Sequence, residues 1–356
     1  MKLYGNRKRA EHTHARAKRK KRRLRKGFIV FLLVCLTVLL TAVALAFQWI
    51  RPPQLPAEEK KQNDVAALDE IVTPQNPRKE DFVTILLIGR DKVGLNTDVL
   101  MLMAYDIKNN KVSMMSIPRD TMVNVERKNK KINSAYSLGG KANLEELMTE
   151  VESIVGFRPD RYLLVSVDAF CELIDEIGGV TVDVPLDMYY SDPEQDLTID
   201  IKKGLQTLGG YDAMGFMRFR ATYARGDLDR IEMQHRFIDA FMKKLVSPKT
   251  ITKIPSLAEI LVKNVKTDLT VGNLVWMAKE AVNMNLAEDF KMFTLPGEAG
   301  YYKQLSYFMA YESKTLELIN AYFNPYVDPI TNVDLPHVKL ANNKYSDELD
   351  KEEMTQ

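Results

Sequence analysis

FVTILLIGRDKVGLNTDVLMLMAYDIKNNKVSMMSIPRDT, residues 82–121, is the stretch on which the fold turns. Within it Phe82–Ile88, Asp98–Tyr105 and Lys111–Ile117 are apolar runs of strand length, and DIKNN between the last two is turn chemistry. Connections this short make antiparallel neighbours, so the first strand runs up, the second down and the third up. The loop Gly89–Thr97 and the loop Pro118–Thr121 then open at the same end of one sheet. That placement brings Asp91, Asp98 and Arg119 near one another.

Downstream, helix and strand signals alternate. Leu144–Val155 carries Leu144, Leu147, Val151, Ile154 and Val155 on one side of a helix. Tyr162–Val167 reads as a strand, Ala169–Ile177 as a helix stopped by Gly178–Gly179, and Val180–Val184 as a strand. Leu228–Leu245 is a longer helix with Ile231, His235, Ile238, Phe241, Met242 and Leu245 spaced by three or four. Helices near Leu257–Val262 and Leu274–Met284 lead to a strand at Phe290–Leu295. The expected fold is α/β, an α-β-α sandwich around a central mixed sheet, occupying residues 81–325.

Upstream, charge divides the chain. Of its 356 residues, 50 are Lys or Arg and 48 Asp or Glu, a formal net charge of +2. Residues 1–26 hold thirteen Lys and Arg against the single acid Glu11, a local +12 that leaves −10 for the remainder. Between the two signs runs FIVFLLVCLTVLLTAVALAF, Phe28–Phe47, twenty residues without a charge. That is long enough to cross a hydrocarbon core of about 30 Å as a helix. It exceeds the apolar core of a cleaved signal peptide, so one N-terminal transmembrane helix over 27–50 is expected to precede the domain. The basic flank keeps the N-terminus cytoplasmic and the rest outside. It needs no nucleic-acid partner, since fixing topology and touching anionic lipid account for it. Residues 51–80, with Pro52, Pro53, Pro56, Pro74 and Pro77, read as an extracellular stalk. Residues 326–356 read as an extension whose end, Lys344–Gln356, is a loose acidic tail. Two cysteines, four histidines, no CxxC and no HExxH leave disulfide scaffolding, zinc chemistry and Cys/His catalysis without support.

Two constellations carry chemistry. Asp91 and Asp98 with Arg119 would suit Mg²⁺ bridging a phosphate, because that ion keeps few protein ligands and shares the rest with phosphate and water. Taken alone, aspartates in turns have the simpler role of forming the turn. The second is MRFRATYARGDLDRIEMQ, residues 217–234. In an extended segment Arg218 and Arg220 would face one side and Phe219 the other. Arg230 and Gln234 are four apart and share a helix face. Arginine suits planar binding of phosphate, although ion pairs with Asp227 and Asp229 would also account for the cluster.

ILLIGRD, NTDVLML, KVSMMSIPRDT, KINSAYSLGG, LIDEIGGVTVDVP, MRFR and GDLDRIEMQ occur here in the order found in the LytR–CpsA–Psr family, which this chain resembles from about Phe82 to Leu245, and more loosely to about Tyr322. The resemblance implies a membrane-anchored, Mg²⁺-dependent glycopolymer–peptidoglycan phosphotransferase on the outer face of a Gram-positive cell membrane. It would move a teichoic acid or capsule-like polymer from an undecaprenyl-pyrophosphate carrier to a peptidoglycan sugar hydroxyl, releasing undecaprenyl phosphate. By position, Asp91 and Asp98 match the metal-binding aspartates. Arg119, Arg218, Arg220, Arg230 and Gln234 match the pyrophosphate-binding set, with Asp91, Arg119, Arg218 and Arg220 as the catalytic candidates. Such chemistry rests on positioning and charge neutralisation, which explains why no Cys or His nucleophile is needed.

A polyisoprenyl tail also demands an apolar groove, for which Leu100, Met101, Leu102, Met103, Met114, Met115, Met214 and Met217 are candidates beside their ordinary role in the core. One departure stands out. Where the family has Arg two residues before the second aspartate, this chain has Asn96, and Arg90 and Lys92 are the cations of the same loop placed to compensate. Other classes compatible with the residues are a membrane-tethered transcriptional regulator that senses a lipid ligand, and a polyprenyl-pyrophosphate pyrophosphatase.

Overall fold

The computed structural model describes residues 52–53, 76–90, 97–138, 142–193, 197–219, 227–341 and 344–354. The basic block, the apolar run and most of the stalk lie outside these residues, as do Asp91, Lys92, Asn96 and Arg220. Among the described residues no helix is long and apolar enough to cross a membrane.

The first half of the chain forms β1 (Phe82–Arg90), β2 (Thr97–Asp106), β3 (Lys111–Ser116), α1 (Leu144–Val155), β4 (Arg161–Ser166), α2 (Val167–Glu176), β5 (Val180–Val184), β6 (Met188–Asp192), β7 (Leu197–Ile201) and β8 (Gly204–Leu208). The second half forms α3 (Gly210–Arg218), α4 (Asp227–Leu245), α5 (Ile254–Asn264), β9 (Val265–Thr267), α6 (Val271–Ala281), β10 (Phe290–Thr294), β11 (Gly297–Tyr302), β12 (Leu305–Ala310), α7 (Glu312–Tyr322) and α8 (Ser346–Met354).

The meander is present: β1 pairs antiparallel with β2, and β2 with β3. β4 joins parallel to β1, β10 parallel to β3, and β9 antiparallel to β4, giving one mixed sheet of order β10-β3-β2-β1-β4-β9. Strands covered on both faces need no polar side, and β1 shows it. Leu86 and Ile88 pack into a core with Leu147, Val151 and Ile154 of α1 and Ile319 of α7. Val83 and Ile85 pack into another core on the α6 side, with Ala281 and the partly buried Leu274 and Trp276. The mixed α/β layering thus follows from the apolar runs. A third core, with Val182, Ile199, Ala213, Phe216 and Phe237, joins the antiparallel β6/β7 ribbon and the separate β5/β8 ribbon to α2, α3 and α4. The chain enters β5 through Gly178 and Gly179, whose φ of 80° and 77° suits glycine, and a Cβ on Gly179 would meet the Leu208 carbonyl oxygen at 2.8 Å.

Two expectations change. Arg218 closes α3 and is not part of an extended segment; the chain leaves the helix at Phe219 (φ −59°, ψ 138°), whose ring is buried. Burial of Ala213, Met214 and Phe216 against the ribbons stabilises helix up to that point. The acidic end of the chain is not loose either. Ser346–Met354 is helical, Leu349 is buried, and Asp350 accepts a hydrogen bond of 2.7 Å from the Ser313 amide at the start of α7.

Candidate functional site

The site begins with an irregularity in the first strand pair. Gly89 lies opposite Val99, but the next pair is Arg90 with Thr97, so Asp98 is an extra residue on β2. A bulge of this kind re-aims a side chain at the end of a sheet. Glycine at 89 permits the close approach, since a Cβ there would sit 3.0 Å from the Val99 Cβ.

Beyond β3 the chain turns tightly at Pro118–Thr121. The Thr121 amide donates to the Pro118 carbonyl at 2.9 Å, and the Thr121 hydroxyl donates to the same oxygen at 2.6 Å. The turn is held from outside as well. The Arg119 carbonyl accepts from Asn133, the Asp120 carbonyl from Phe308, and the Met122 amide donates to Phe308. Arg119 is thereby presented at the sheet end, where its Nη1 donates to Asp98 Oδ1 at 2.9 Å. The meander accounts for the nearness of the two residues; the ion pair between them is seen only in the structure.

α4 supplies the other wall. Arg230 and Gln234 are both 4% exposed. Arg230 Nη2 reaches the Asp98 carbonyl at 3.5 Å, and Gln234 Nε2 donates to the Met217 carbonyl at 3.2 Å, tying α4 to the end of α3 beside Arg218. The structure therefore joins Asp98, Arg119 and Arg230 directly and places Gln234 one residue from Arg218 in contact. Asp91 and Arg220 lie outside the described residues.

Two further residues adjoin these elements, Ser116 at the end of β3 and His235 next to Gln234 on α4. Ser116 Oγ and His235 Nε2 are 2.9 Å apart, and burial holds the imidazole below its ordinary range. Spacing alone places His235 in the apolar stripe of α4. The legible signal was Ser116, a polar residue on the face of β3 that otherwise carries Val112 and Met114. Of the methionine and leucine candidates for a lipid groove, Leu100, Met101, Leu102, Met114, Met115 and Met214 are buried in the cores.

Chemically, the cluster offers guanidinium donors to an anion and a carboxylate to a hard cation. Among the described residues no group of three or more His, Cys, Asp or Glu is assembled to hold a metal. One carboxylate from Asp98 beside arginines nevertheless fits the mode of Mg²⁺, which takes one or two protein oxygens and completes its shell with phosphate and water.

The LytR–CpsA–Psr family model matches residues 54–323. The chain is 36% identical over 197 residues to the polyisoprenyl-teichoic acid–peptidoglycan teichoic acid transferase TagV of Bacillus subtilis strain 168, covering 54% of this chain and 48% of that protein. It is 32% identical over 232 residues to the regulatory protein MsrR of Staphylococcus aureus strain COL, covering 63% of this chain and 68% of that one. The match thus spans about half the length of the Bacillus relative. The crystal structure of B. subtilis TagV superposes with a TM-score of 0.56 at 28% identity, covering 68% of this chain and 95% of that one.

Proposed function

The chain belongs to the LytR–CpsA–Psr family, and on that premise we propose that it is a membrane-anchored phosphotransferase that attaches a glycopolymer to peptidoglycan. The donor is a teichoic acid or capsule-like polymer on an undecaprenyl-pyrophosphate carrier. The anchor is the apolar run 28–47, with the domain on the outer face of the membrane. The name of the TagV relative, a transferase of teichoic acid from a polyisoprenyl carrier to peptidoglycan, supports the substrate class.

The observation that carries the reading is Asp98 held between Arg119 and Arg230 at the open end of the sheet. In the reaction, a sugar hydroxyl oxygen of peptidoglycan attacks the polymer-proximal phosphorus. The bond from that phosphorus to the bridging oxygen breaks, polyprenyl phosphate leaves with the electron pair, and the hydroxyl proton passes to a base. Arg119, Arg218, Arg220 and Arg230 donate to the phosphate oxygens and stabilise charge on the leaving phosphate. Gln234 donates to the Met217 carbonyl and so ties α4, which carries Arg230, to the end of α3, which carries Arg218. Bound by Asp91 and Asp98, Mg²⁺ would neutralise further charge on the pyrophosphate.

Changing Arg119 or Arg218 to Ala is expected to lower release of polyprenyl phosphate from a polyprenyl-pyrophosphate donor by about 10²–10³; unchanged turnover in either variant would sink the site assignment. Product measured with and without a glycan acceptor separates transfer from hydrolysis. The regulatory name of the Staphylococcus relative favours a second reading, a membrane-tethered regulator. Deleting Lys8–Arg23 behind a foreign anchor discriminates the two: loss of function points to regulation, full transfer to the enzyme.

A further inference from the structure

The end of β1 carries a feature that the described contacts of the cluster do not use. Arg90 and Thr97 are register partners because Asp98 is the bulged residue. Side chains directly opposite in an antiparallel pair share a face, with Cβ atoms about 5 Å apart. Thr97 is fully buried, and its Oγ1 is enclosed without a hydrogen-bond partner; the Nε of Arg90 is enclosed and unpartnered in the same way. The Nε of Arg78 is enclosed in the same way, so what sets Arg90 apart is charge pairing: Arg78, Arg127, Arg158 and Arg161 each face a carboxylate, whereas no ion pair is made by Arg90 among the described residues.

Donors removed from water carry a desolvation cost that an acceptor relieves. A guanidinium has no acceptor of its own, so the partner that it and a neighbouring hydroxyl could share is an acceptor, and an anionic one binds most tightly. One residue from Thr97 stands Asp98, with Arg119 and Arg230 upon it.

We propose that Arg90 and Thr97 form an oxyanion-binding pair at the sheet end, and that the oxyanion is a phosphate of the donor. The ligand class rests on the transferase reading above. Arg119 and Arg230 then serve one part of a diphosphate and Arg90 with Thr97 another. Arg90 acts in ground-state binding, which raises affinity without lowering the barrier from the bound state.

The test uses the full chain in detergent, with inorganic pyrophosphate binding by calorimetry and turnover of a polyprenyl-pyrophosphate donor as separate arms. Arg90→Gln is expected to weaken pyrophosphate binding about tenfold and raise the donor KM about tenfold, with kcat within about twofold. Arg90→Lys, which keeps the charge and loses the fork, should fall between. Thr97→Val preserves volume and removes the hydroxyl. It should weaken pyrophosphate binding about threefold without lowering Tm, because the protein itself leaves that hydroxyl unbonded.

Wild-type affinity in Arg90→Gln and Thr97→Val, with binding lost in Arg119→Ala, overturns the pair and leaves the transferase site standing. Unchanged pyrophosphate affinity with a raised donor KM also overturns it, since the contact would then be to lipid or polymer. Arg119→Ala binding pyrophosphate like the wild type would overturn the transferase site as well.

Discussion

Three arginine–carboxylate pairs in this domain are built differently. Arg78 with Asp160, and Arg127 with Glu150, bury their carboxylates to 3% side-chain exposure; Arg119 with Asp98 leaves the carboxylate 24% exposed. Asp160 also accepts from the Thr84 amide and hydroxyl at 2.8 Å each, while its own amide donates back to the Thr84 hydroxyl at 3.0 Å. This closed network ties the start of β4 to β1. Burial still pushes the Asp160 carboxyl above its ordinary range, against the opposing pull of Arg78 and Thr84. Glu150 is raised for the same reason. A closed pair with its lone pairs occupied holds structure; an open pair at a sheet end keeps capacity for a ligand. The difference lies in enclosure, since the chemistry of the groups is the same.

The sharpest way to break that contrast is to cut one pair of each kind. Arg119→Ala should lower turnover by about 10²–10³, as loss of a preorganised donor does, with a melting curve close to wild type. Arg78→Ala should do the reverse. It strands Asp160 in a buried site, at a cost of about 3–5 kcal/mol, and leaves turnover per folded molecule unchanged. Thermal melts and single-variant kinetics decide it, and a swap of the two phenotypes would end the distinction.

How much of this was legible follows the same division. The meander was plain because apolar runs of strand length separated by a five-residue turn admit few arrangements. The nearness of Asp98 and Arg119 follows from topology alone, whereas their ion pair does not. The bulge was not legible, since nothing in Asn96-Thr97-Asp98 marks which residue is left over; only the register shows it. β7 was legible in principle, with Leu197, Ile199 and Ile201 buried and Thr198 and Asp200 exposed, but five residues is little signal. α8 was misjudged because its sequence is polar along most of its length. SDELDKEEM offers two apolar residues, Leu349 and Met354, five positions apart, which define no period; among its described side chains Leu349 packs into the core.

That last helix sharpens the contrast from another side, because it braces the open pair. Leu349 and Leu340 pack with Met122, Tyr307 and Met309. The Met122 amide donates to the Phe308 carbonyl at 2.9 Å, three residues beyond Arg119. Leu349→Ala should cost about 2–3 kcal/mol, the low end for a buried leucine because the cluster is small. It should also reduce turnover about threefold by loosening the turn that presents Arg119. A stability loss with unchanged kcat, measured well below the melting temperature, would reduce α8 to a purely structural element.

The smallest effect concerns the part-buried pair of Ser116 and His235. Burial lowers the His235 imidazole below its ordinary value, so the folded chain favours the neutral form that bonds Ser116. As pH falls through the window between the unfolded and folded values, the unfolded chain takes up the proton first. Stability from this group is therefore complete above about pH 6.5 and declines as the solution is acidified. One proton limits the slope to about 1.4 kcal/mol per pH unit. His235→Gln keeps a hydrogen-bonding group of similar reach for Ser116 and removes the titration. Denaturant midpoints taken from pH 7.5 down to pH 5 should fall more steeply for the wild type than for this variant. Parallel curves would mean that His235 exchanges protons alike in both states, and that the pair is less enclosed than Asp160 and Glu150.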